Sequence, residues 1–398
     1  MGILLKKQSE GGYILNTITK LSVVSLIVSL AFAYIDTIWA VYLDSFFENI
    51  AFVGFFSALL TFISFISHFL IVPAIEKANK PKVYALSLFI FLISCIFFAF
   101  NKNFYLFVIM ALVITVVTTF RITSFGLLIR ENSKDHDVAR NEGLIYTLTN
   151  LAWVVGPLIA GFVAARFGNI AVFLIASLFL FIGLMVFISC HIKRKKVKGK
   201  VHNNFLNNFI DFFRSKKRLV CYILSGGVNC WWSFMYLFIP LFIIRSGLSE
   251  LWVGYFLFGV ALPLILCEYY FSEKAGKHGF KNLFKTGYLI VAILAVACFF
   301  MTNVYIILAL LVFASFGMAM LEPTTEAYFF DILGKNEKYR FYSPYNTASD
   351  TGNFVARIFA SCLLLFLPFK FLFLLFAGFM FLLFLLSHHI KDVFEYKK

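Results

Sequence analysis

Charged side chains are scarce in this chain, and acidic ones are the scarcer kind. Of 398 residues, 14% are charged, and 20 Asp and Glu stand against 35 Lys and Arg. Hydrophobic residues make up 61%, and the mean hydropathy is +0.89. So few polar groups cannot cover the surface of a soluble globular protein. The composition therefore excludes a soluble domain and predicts an integral membrane protein.

Signatures of several kinds of chemistry are also missing. The seven cysteines all fall in apolar segments without a Cys-x-x-Cys pair, so we predict no disulfide, no metal site and no cofactor. No phosphate-binding Gly-x4-Gly-Lys-(Ser/Thr) loop occurs, which argues against transport driven by a nucleotide. No His-Glu-x-x-His or Gly-x-Ser-x-Gly motif occurs, so an intramembrane enzyme is only a distant alternative. The scattered basic residues predict no nucleic-acid partner.

Long apolar segments make up most of the sequence. About 20 helical residues cross a bilayer, and runs near that length recur twelve times. The sequence therefore predicts an all-α membrane protein with twelve transmembrane helices. They are placed at 21–43, 51–73, 83–100, 104–129, 143–165, 170–190, 219–244, 251–271, 283–301, 304–330, 344–366 and 371–387.

The basic residues predict the orientation of these spans. Lys and Arg in short loops stay on the cytoplasmic side. With a cytoplasmic N-terminus, the outer loops contain only Lys102, Arg166, Arg245 and Lys370. Both termini are therefore predicted to be cytoplasmic, in a multi-pass protein of the cell membrane with anionic lipid as a partner. Ala31-Phe-Ala33 resembles a signal-peptide cleavage site, but the apolar run continues past it, so we expect an uncleaved first span.

Two short patterns occur twice, half a chain apart. Glu76-Lys77-Ala78-Asn79-Lys80 follows the second span and Glu273-Lys274-Ala275-Gly276-Lys277 follows the eighth, 197 residues later. Upstream, Val53-Gly54-Phe55-Phe56 and Val253-Gly254-Tyr255-Phe256 are 200 residues apart. Repeated halves of this kind are common in transporters. We predict two pseudo-symmetric six-helix bundles, 1–190 and 219–398, joined by a basic cytoplasmic linker at 191–218 with an interfacial helix.

These repeats resemble motif A of the major facilitator superfamily, Gly-x-x-x-Asp-Arg-x-Gly-Arg-(Arg/Lys). Its acidic and basic positions correspond to Glu76, Lys77 and Lys80, and in the second copy to Glu273, Lys274 and Lys277. Val72 replaces the first glycine, and Lys replaces Arg. The resemblance implies the superfamily's twelve-helix fold and a conformational role for these residues. It also implies that Glu76 contacts the start of span 11 at Ser343-Pro344, where the helix dipole favours an acid.

Span 5 is similar to motif C of the drug:proton antiporter branch of the same superfamily. Gly143, Gly156, Pro157 and Gly161 occupy its glycine and proline positions, while Ala152 and Ala160 replace two glycines. Small residues permit close helix packing and proline permits a bend, so plain packing is an equal alternative to an antiporter role. Of motif B in span 4, only Arg121 is represented.

Ionisable residues inside predicted spans are costly in hydrocarbon and usually line a pathway or pair with each other. Apart from Lys285 at the start of span 9, none falls in spans 3, 6, 9 or 12, the helices that lie outermost in the superfamily. The others are Asp36, Arg121, Glu268, Glu322, Glu326, Asp350 and Arg357. The resemblance implies that a protonatable acid and a modulating arginine occupy positions similar to Asp36 and Arg121.

Spans 7, 10 and 11 supply most of the candidate site residues. Glu322 and Glu326 are four residues apart on one helical face, which opposes joint ionisation in a poorly hydrated site. We assign proton coupling to Asp36, Glu322, Glu326 and Asp350. We assign the substrate cavity to Arg121 with polar and aromatic residues of spans 7 and 11, namely Asn229, Trp232, Ser233, Tyr236, Asn346, Asn353 and Arg357.

The sequence thus predicts a monomeric secondary transporter that moves a small solute by alternating access. The excess of buried acids and the similarity to motif C favour proton-coupled export of amphipathic compounds, with protons or another ion as the coupling partner. Proton-coupled uptake or exchange of a sugar or organic anion is the alternative, because Arg121 and Arg357 could hold an anion. A membrane receptor without transport is a more distant one.

Overall fold

The structure is a computed structural model that describes residues 5–7, 13–15, 17–133, 138–192 and 205–390. Within these ranges the side chains of a few residues, Glu76 and Lys77 included, lie outside the description. Helices account for nearly all of it, which confirms the predicted all-α membrane fold. A two-stranded antiparallel hairpin, β1 (Leu5–Lys7) and β2 (Tyr13–Leu15), precedes the first helix.

The helices before the linker follow the predicted spans closely. Their bounds are α1 Thr17–Asp44, α2 Ile50–Lys77, α3 Lys80–Phe100, α4 Phe104–Asn132 and α5 Val138–Ser189. The 52-residue α5 contains spans 5 and 6. It is interrupted at Gly168, whose φ of 79° and ψ of 170° are not helical. A positive φ is adopted readily only by glycine, so this residue marks the boundary between the two spans.

A short linker helix and the spans of the second half follow. Their bounds are α6 Phe205–Phe213, α7 Lys216–Ser233, a π-helix Phe234–Phe238, α8 Ile239–Arg245, α9 Glu250–His278, α10 Phe280–Phe300, α11 Val304–Asp331, α12 Lys335–Leu364 and α13 Phe371–Ser387. α7, the π-helix and α8 follow one another without a break and together form span 7. In the described part of the chain, nine segments are long and apolar enough to cross a bilayer. One of them holds spans 5 and 6, and the more polar α12 and the shorter α13 complete the twelve.

The predicted start of span 11 is wrong. Ser343 and Pro344 were expected to cap the helix, but α12 begins at Lys335 and both lie within it. The backbone N–H of Gly334 instead donates to Glu337 Oε2 at 3.1 Å, which caps the true N-terminus. Free N–H groups are therefore not available at Ser343, and the helix end proposed as a dock for Glu76 does not exist there.

The chain divides into two compact units. One contains residues 1–39 and 63–199, and the other contains 40–62 and 200–398. The C-terminal end of α1 and the first turns of α2 thus belong to the same unit as the second half of the chain. In the first unit, Gly156 of α5 packs against Ala33 of α1, because a Cβ at this glycine would lie 2.5 Å from the Ala33 Cβ.

Candidate functional site

The second unit contains an unusually close contact between α7 and α12. A Cβ on Gly352 would overlap the carbonyl oxygen of Gly226, so only glycine allows the two backbones to approach this far. Next to this contact, the Tyr222 hydroxyl bonds to the hydroxyls of Thr347 (3.1 Å) and Thr351 (2.6 Å). The α7–α12 contact therefore fixes the position of the polar residues on both helices.

Two predicted site residues of α7 bond to α12 at this contact. The Ser349 hydroxyl donates to Asn229 Oδ1 at 2.8 Å, and Arg357 Nε donates to the Ser233 hydroxyl at 3.0 Å. Arg357 also donates from Nη1 to the Ser57 carbonyl at 3.0 Å and to the hydroxyl of Thr61, both on α2. The guanidinium thus links three helices of one unit.

Ser233 is also the last residue before the π-helix at Phe234–Phe238. A π-helical turn contains one more residue per turn than the flanking helix and often marks a functional site. The wider turn carries Tyr236, whose ring centroid lies 5.8 Å from that of Trp232. The two aromatic residues predicted for span 7 therefore lie side by side where the helix changes its winding.

Trp232 connects span 7 to the acids of α11. Its indole Nε1 donates to Glu322 Oε2 at 2.9 Å. Glu268 of α9 lies close enough for its charge to act on Glu322, and both acids are half-buried. Among the described residues, no ion pair involves either of these two glutamates. The structure brings together an aromatic pair and two carboxylates that have no basic partner within the described ranges.

The neighbouring acid, Glu326, has a different environment. It is exposed and accepts a hydrogen bond from the Tyr342 hydroxyl at 3.1 Å. Glu322 and Glu326 therefore have different partners although they share a helical face. On α12, Asn346 is exposed, while Asp350 and Asn353 are half-buried.

The first unit holds the predicted pair of Asp36 and Arg121. The charges of these two residues interact, and Asp36 is half-buried on α1. The Arg121 guanidinium stacks over the Phe32 ring at 3.9 Å and lies 5.9 Å from the Phe91 ring. Its buried Nε finds no hydrogen-bond acceptor in the described part of the chain. Arg121 is thus held by aromatic rings, which leaves donors for another group.

The two copies of motif A differ in their environments. Lys80 is 4% exposed and lies 2.9 Å from Glu131, which is 11% exposed, so this pair is buried between α3 and the end of α4. In the second copy Lys277 pairs with Glu273 one turn away, and both are about half exposed (53% and 45%). Lys274 is exposed as well, with Nζ 5.9 Å from the Tyr270 ring. The side chains of Glu76 and Lys77 lie outside the described ones.

The motif C residues are spread along the first part of α5. Gly156, Pro157 and Gly161 are buried, whereas Gly143 is exposed with open space where a Cβ would point. Of the two motif C glycines whose surroundings are described, Gly143 and Gly156, only Gly156 makes a close helix contact.

Sequence reasoning missed several residues of these clusters. Glu131, Tyr222, Ser57 and Thr61 were not singled out, and Glu268 was recognised as a buried acid without a role. Adjacent glycines at 226–227 are a sequence signal for close helix packing, and they could have pointed to the α7–α12 contact. Hydroxyl residues such as Ser57 give no such signal, because serine and threonine side chains can also hydrogen-bond to a backbone carbonyl of their own helix.

Twelve crossings, repeated halves and charged groups within the helices define a multi-pass membrane protein of the transporter class. A sequence model described as "Major Facilitator Superfamily" matches residues 21–277 and 263–391. The chain belongs to this superfamily. It is accordingly a secondary transporter.

Solved structures show the same fold at low sequence identity. A peptide transporter POT in complex with sulfate has a TM-score of 0.74 and 14% identity, with 97% of this chain and 95% of that chain covered. The nucleoside transporter NupG has a TM-score of 0.76 and 12% identity, with 95% and 100% covered. No relative of curated function matches the chain in sequence.

Proposed function

We propose that the chain exports cationic or neutral amphipathic compounds in exchange for protons. The observation that carries the proposal is the pair of half-buried glutamates, Glu322 and Glu268, which have no basic partner among the described residues. Negative charge in a poorly hydrated site needs a cation beside it. A proton and a cationic solute can each supply that charge.

Competition for the same carboxylates gives a simple physical basis for antiport. When protons occupy the glutamates a cation binds weakly, and when the cation is bound protons are released. Trp232 bonds to Glu322, and Trp232 with the neighbouring Tyr236 provides the apolar surface that an amphipathic solute requires. Asp36 in the first unit is the second proposed proton site.

Arg121 supports the alternative function, uptake or exchange of a sugar or an organic anion. Its guanidinium stacks on Phe32, and its Nε lacks an acceptor in the described residues. Such a group suits a carboxylate or phosphate. The described hydrogen bonds of Arg357, by contrast, go to hydroxyls and a carbonyl, so Arg121 is the stronger anion candidate.

Transport in proteoliposomes with an imposed pH gradient tests the proposal. A panel of amphipathic cations, sugars and organic acids is offered as substrate, and Glu322→Gln is compared with Glu326→Gln as the matched control. We expect uphill movement of a cation that is lost in Glu322→Gln. It should be kept in Glu326→Gln, because Glu326 is exposed and we therefore no longer propose it, as the sequence did, as a proton carrier. Binding of that cation should weaken as the pH falls.

The opposite pattern would support the alternative. Accumulation of an anion, with binding that tightens at low pH and is lost in Arg121→Gln but kept in Glu322→Gln, would replace the export hypothesis.

A further inference from the structure

One face of the linker helix α6 is buried against the second unit. The Phe212 side chain on this face is fully buried. Its ring centroid lies 6.0 to 6.4 Å from the rings of three residues on α7, α11 and α12, namely Tyr222, Phe329 and Phe341. Aromatic rings attract one another at these distances. Because the three rings come from three different helices, Phe212 anchors α6 to the unit.

Two arginines hold the same helix by hydrogen bonds. Arg340 of α12 donates from Nε to Asn208 Oδ1 at 2.8 Å and from Nη2 to the Asp211 carboxylate. Arg218 of α7 donates to the backbone carbonyls of Asp211 at 2.6 Å and Phe212 at 3.2 Å. A basic side chain is favourable at these carbonyls, since they lie at the C-terminal end of α6. The orientation of α6 on the unit is therefore fixed, and so is the direction in which its other face points.

The other face of α6 is exposed and mixes apolar with basic side chains. The Arg214 N–H donates to the Ile210 carbonyl, so the helical turn extends through Arg214. Ile210, Phe213 and Arg214 are three and four residues apart, which places them on one side of the helix. Ile210 and Phe213 are 55% and 41% exposed, and the Arg214 side chain is 75% exposed. Large apolar side chains beside basic ones are typical of helices that lie on a membrane surface.

The chain passes almost directly from α6 into a membrane span. Only Arg214 and Ser215 separate α6 from α7, which begins at Lys216. Lys216 and Lys217 are exposed in the first turn of α7, and Leu219, where the apolar part of span 7 begins, is exposed as well. The two lysines are therefore expected at the level of the lipid headgroups on the predicted cytoplasmic side.

Acidic side chains of the protein do not balance this basic charge. Within the residues that the structure describes, no ion pair involves Lys216 or Lys217. Arg214 lies 3.3 Å from Asp211, but Arg340 binds the same carboxylate, so one acid serves two arginines. Positive charge thus remains available for an anionic partner.

We propose that this region binds an anionic phospholipid of the inner leaflet, with the phosphate at the basic side chains and the acyl chains against the apolar ones. The region is named the α6 surface and consists of Ile210, Phe213, Arg214, Lys216 and Lys217. Charge complementarity selects an anionic partner. The exposed apolar side chains, next to the start of a span, select a lipid over a soluble acidic partner. The basic loops of the sequence suggest anionic lipid as a general partner, whereas this proposal assigns it one place.

Native mass spectrometry of the full chain in detergent tests the proposal. The protein is titrated with phosphatidylglycerol or with phosphatidylcholine, which has no net charge, and the dissociation constant of the first bound lipid is measured. We expect phosphatidylglycerol to bind roughly twentyfold more tightly than phosphatidylcholine, since each basic residue near an anionic group contributes a factor of about five. The double variant Lys216→Gln/Lys217→Gln should lose most of this preference.

A second pair of lysines separates a defined site from diffuse attraction. Lys274→Gln/Lys277→Gln is the matched control, because it removes the same charge from exposed residues of α9 in the same unit. It should keep the preference for phosphatidylglycerol. Ile210→Ser removes an exposed apolar side chain without a change of charge. It should weaken phosphatidylglycerol binding about fivefold, as loss of part of the burial of such a side chain implies.

Protein folding is checked in the same samples by the unfolding midpoint without lipid, which should not change because all of these side chains are exposed. If the double variant fails to fold, Lys216→Gln and Lys217→Gln are measured singly, each with an expected loss of about fivefold. Equal binding of the two lipids, or an equal loss of preference in both lysine pairs, would overturn the proposal. No transported solute enters the measurement, so a failed export hypothesis would leave the lipid site intact.

Discussion

Arg245 at the end of α8 and Asp44 at the end of α1 form a two-bond ion pair. Nη2 lies 2.8 Å from Oδ1 and Nε lies 3.2 Å from Oδ2, and Nη2 also donates to the Glu48 carbonyl at 3.2 Å. The side chains are 41% and 16% exposed, respectively. The pair therefore joins two residues that are 201 positions apart in the chain. Because both side chains are partly exposed, water partly screens the attraction between their charges.

Solvent exposure should limit the energy of this pair. We expect a double-mutant cycle of Asp44→Asn and Arg245→Gln to give a coupling free energy of no more than about 1 kcal/mol, since exposed ion pairs are weak even with good geometry. Thermal unfolding in detergent measures it, with the single variants as internal references. A coupling several times larger would show that the pair is effectively shielded from water.

The buried lysine of the first motif A should matter far more than its counterpart in the second. Lys80→Met removes the ion pair with Glu131 from a buried position, and breaking a buried ion pair costs roughly 3–5 kcal/mol. Lys277→Met removes an exposed partner of Glu273 and should cost less than about 1 kcal/mol. Unfolding midpoints of the two variants, measured side by side, check this difference. Equal shifts would contradict it.

The spans could be predicted from sequence because length and hydropathy determine them directly. The repeat, with Gly54 and Gly254 in the early turns of α2 and α9, shows that the duplicated patterns fall at equivalent places. The start of α12 was missed because Ser343-Pro344 is a common helix start, while the polar turns from Lys335 resemble a loop. Hydropathy does not reveal a helix that continues past the apolar core.

Side-chain partners were much harder to predict. Sequence assigned Arg357 to the substrate cavity, but could not indicate that the Ser57 carbonyl accepts its hydrogen bond. Likewise, the i, i+4 spacing of Glu322 and Glu326 suggested a pair, whereas Trp232 and Tyr342 separate their environments. Such contacts depend on how helices distant in sequence pack, which no local pattern encodes.

Asp36 should be required for coupling to the proton gradient. Asp36→Asn keeps the shape of the side chain and cannot carry a proton, so we expect gradient-driven accumulation to be lost while ligand binding or exchange remains. Asp44→Asn, on the same helix at its C-terminal end, is the matched control and should retain accumulation. Transport in proteoliposomes with and without a pH gradient separates the two effects. Full uphill transport by Asp36→Asn would exclude this residue as a proton carrier.

The contact of Gly352 with Gly226 should be among the least tolerant positions of the second unit. A Cβ at Gly352 would overlap the Gly226 backbone, which cannot move aside as a flexible side chain can, so α7 and α12 would have to separate along their hydrogen-bonded length. Overpacking of this kind costs roughly 1–3 kcal/mol or more. Gly378→Ala in α13 is the matched control, since nothing lies within 4 Å of a Cβ there and alanine favours a helix by about 0.5–1 kcal/mol. We expect the unfolding midpoint to fall in Gly352→Ala and to stay level or rise in Gly378→Ala. A midpoint in Gly352→Ala equal to that of the unchanged protein would mean that the two helices are not in backbone contact.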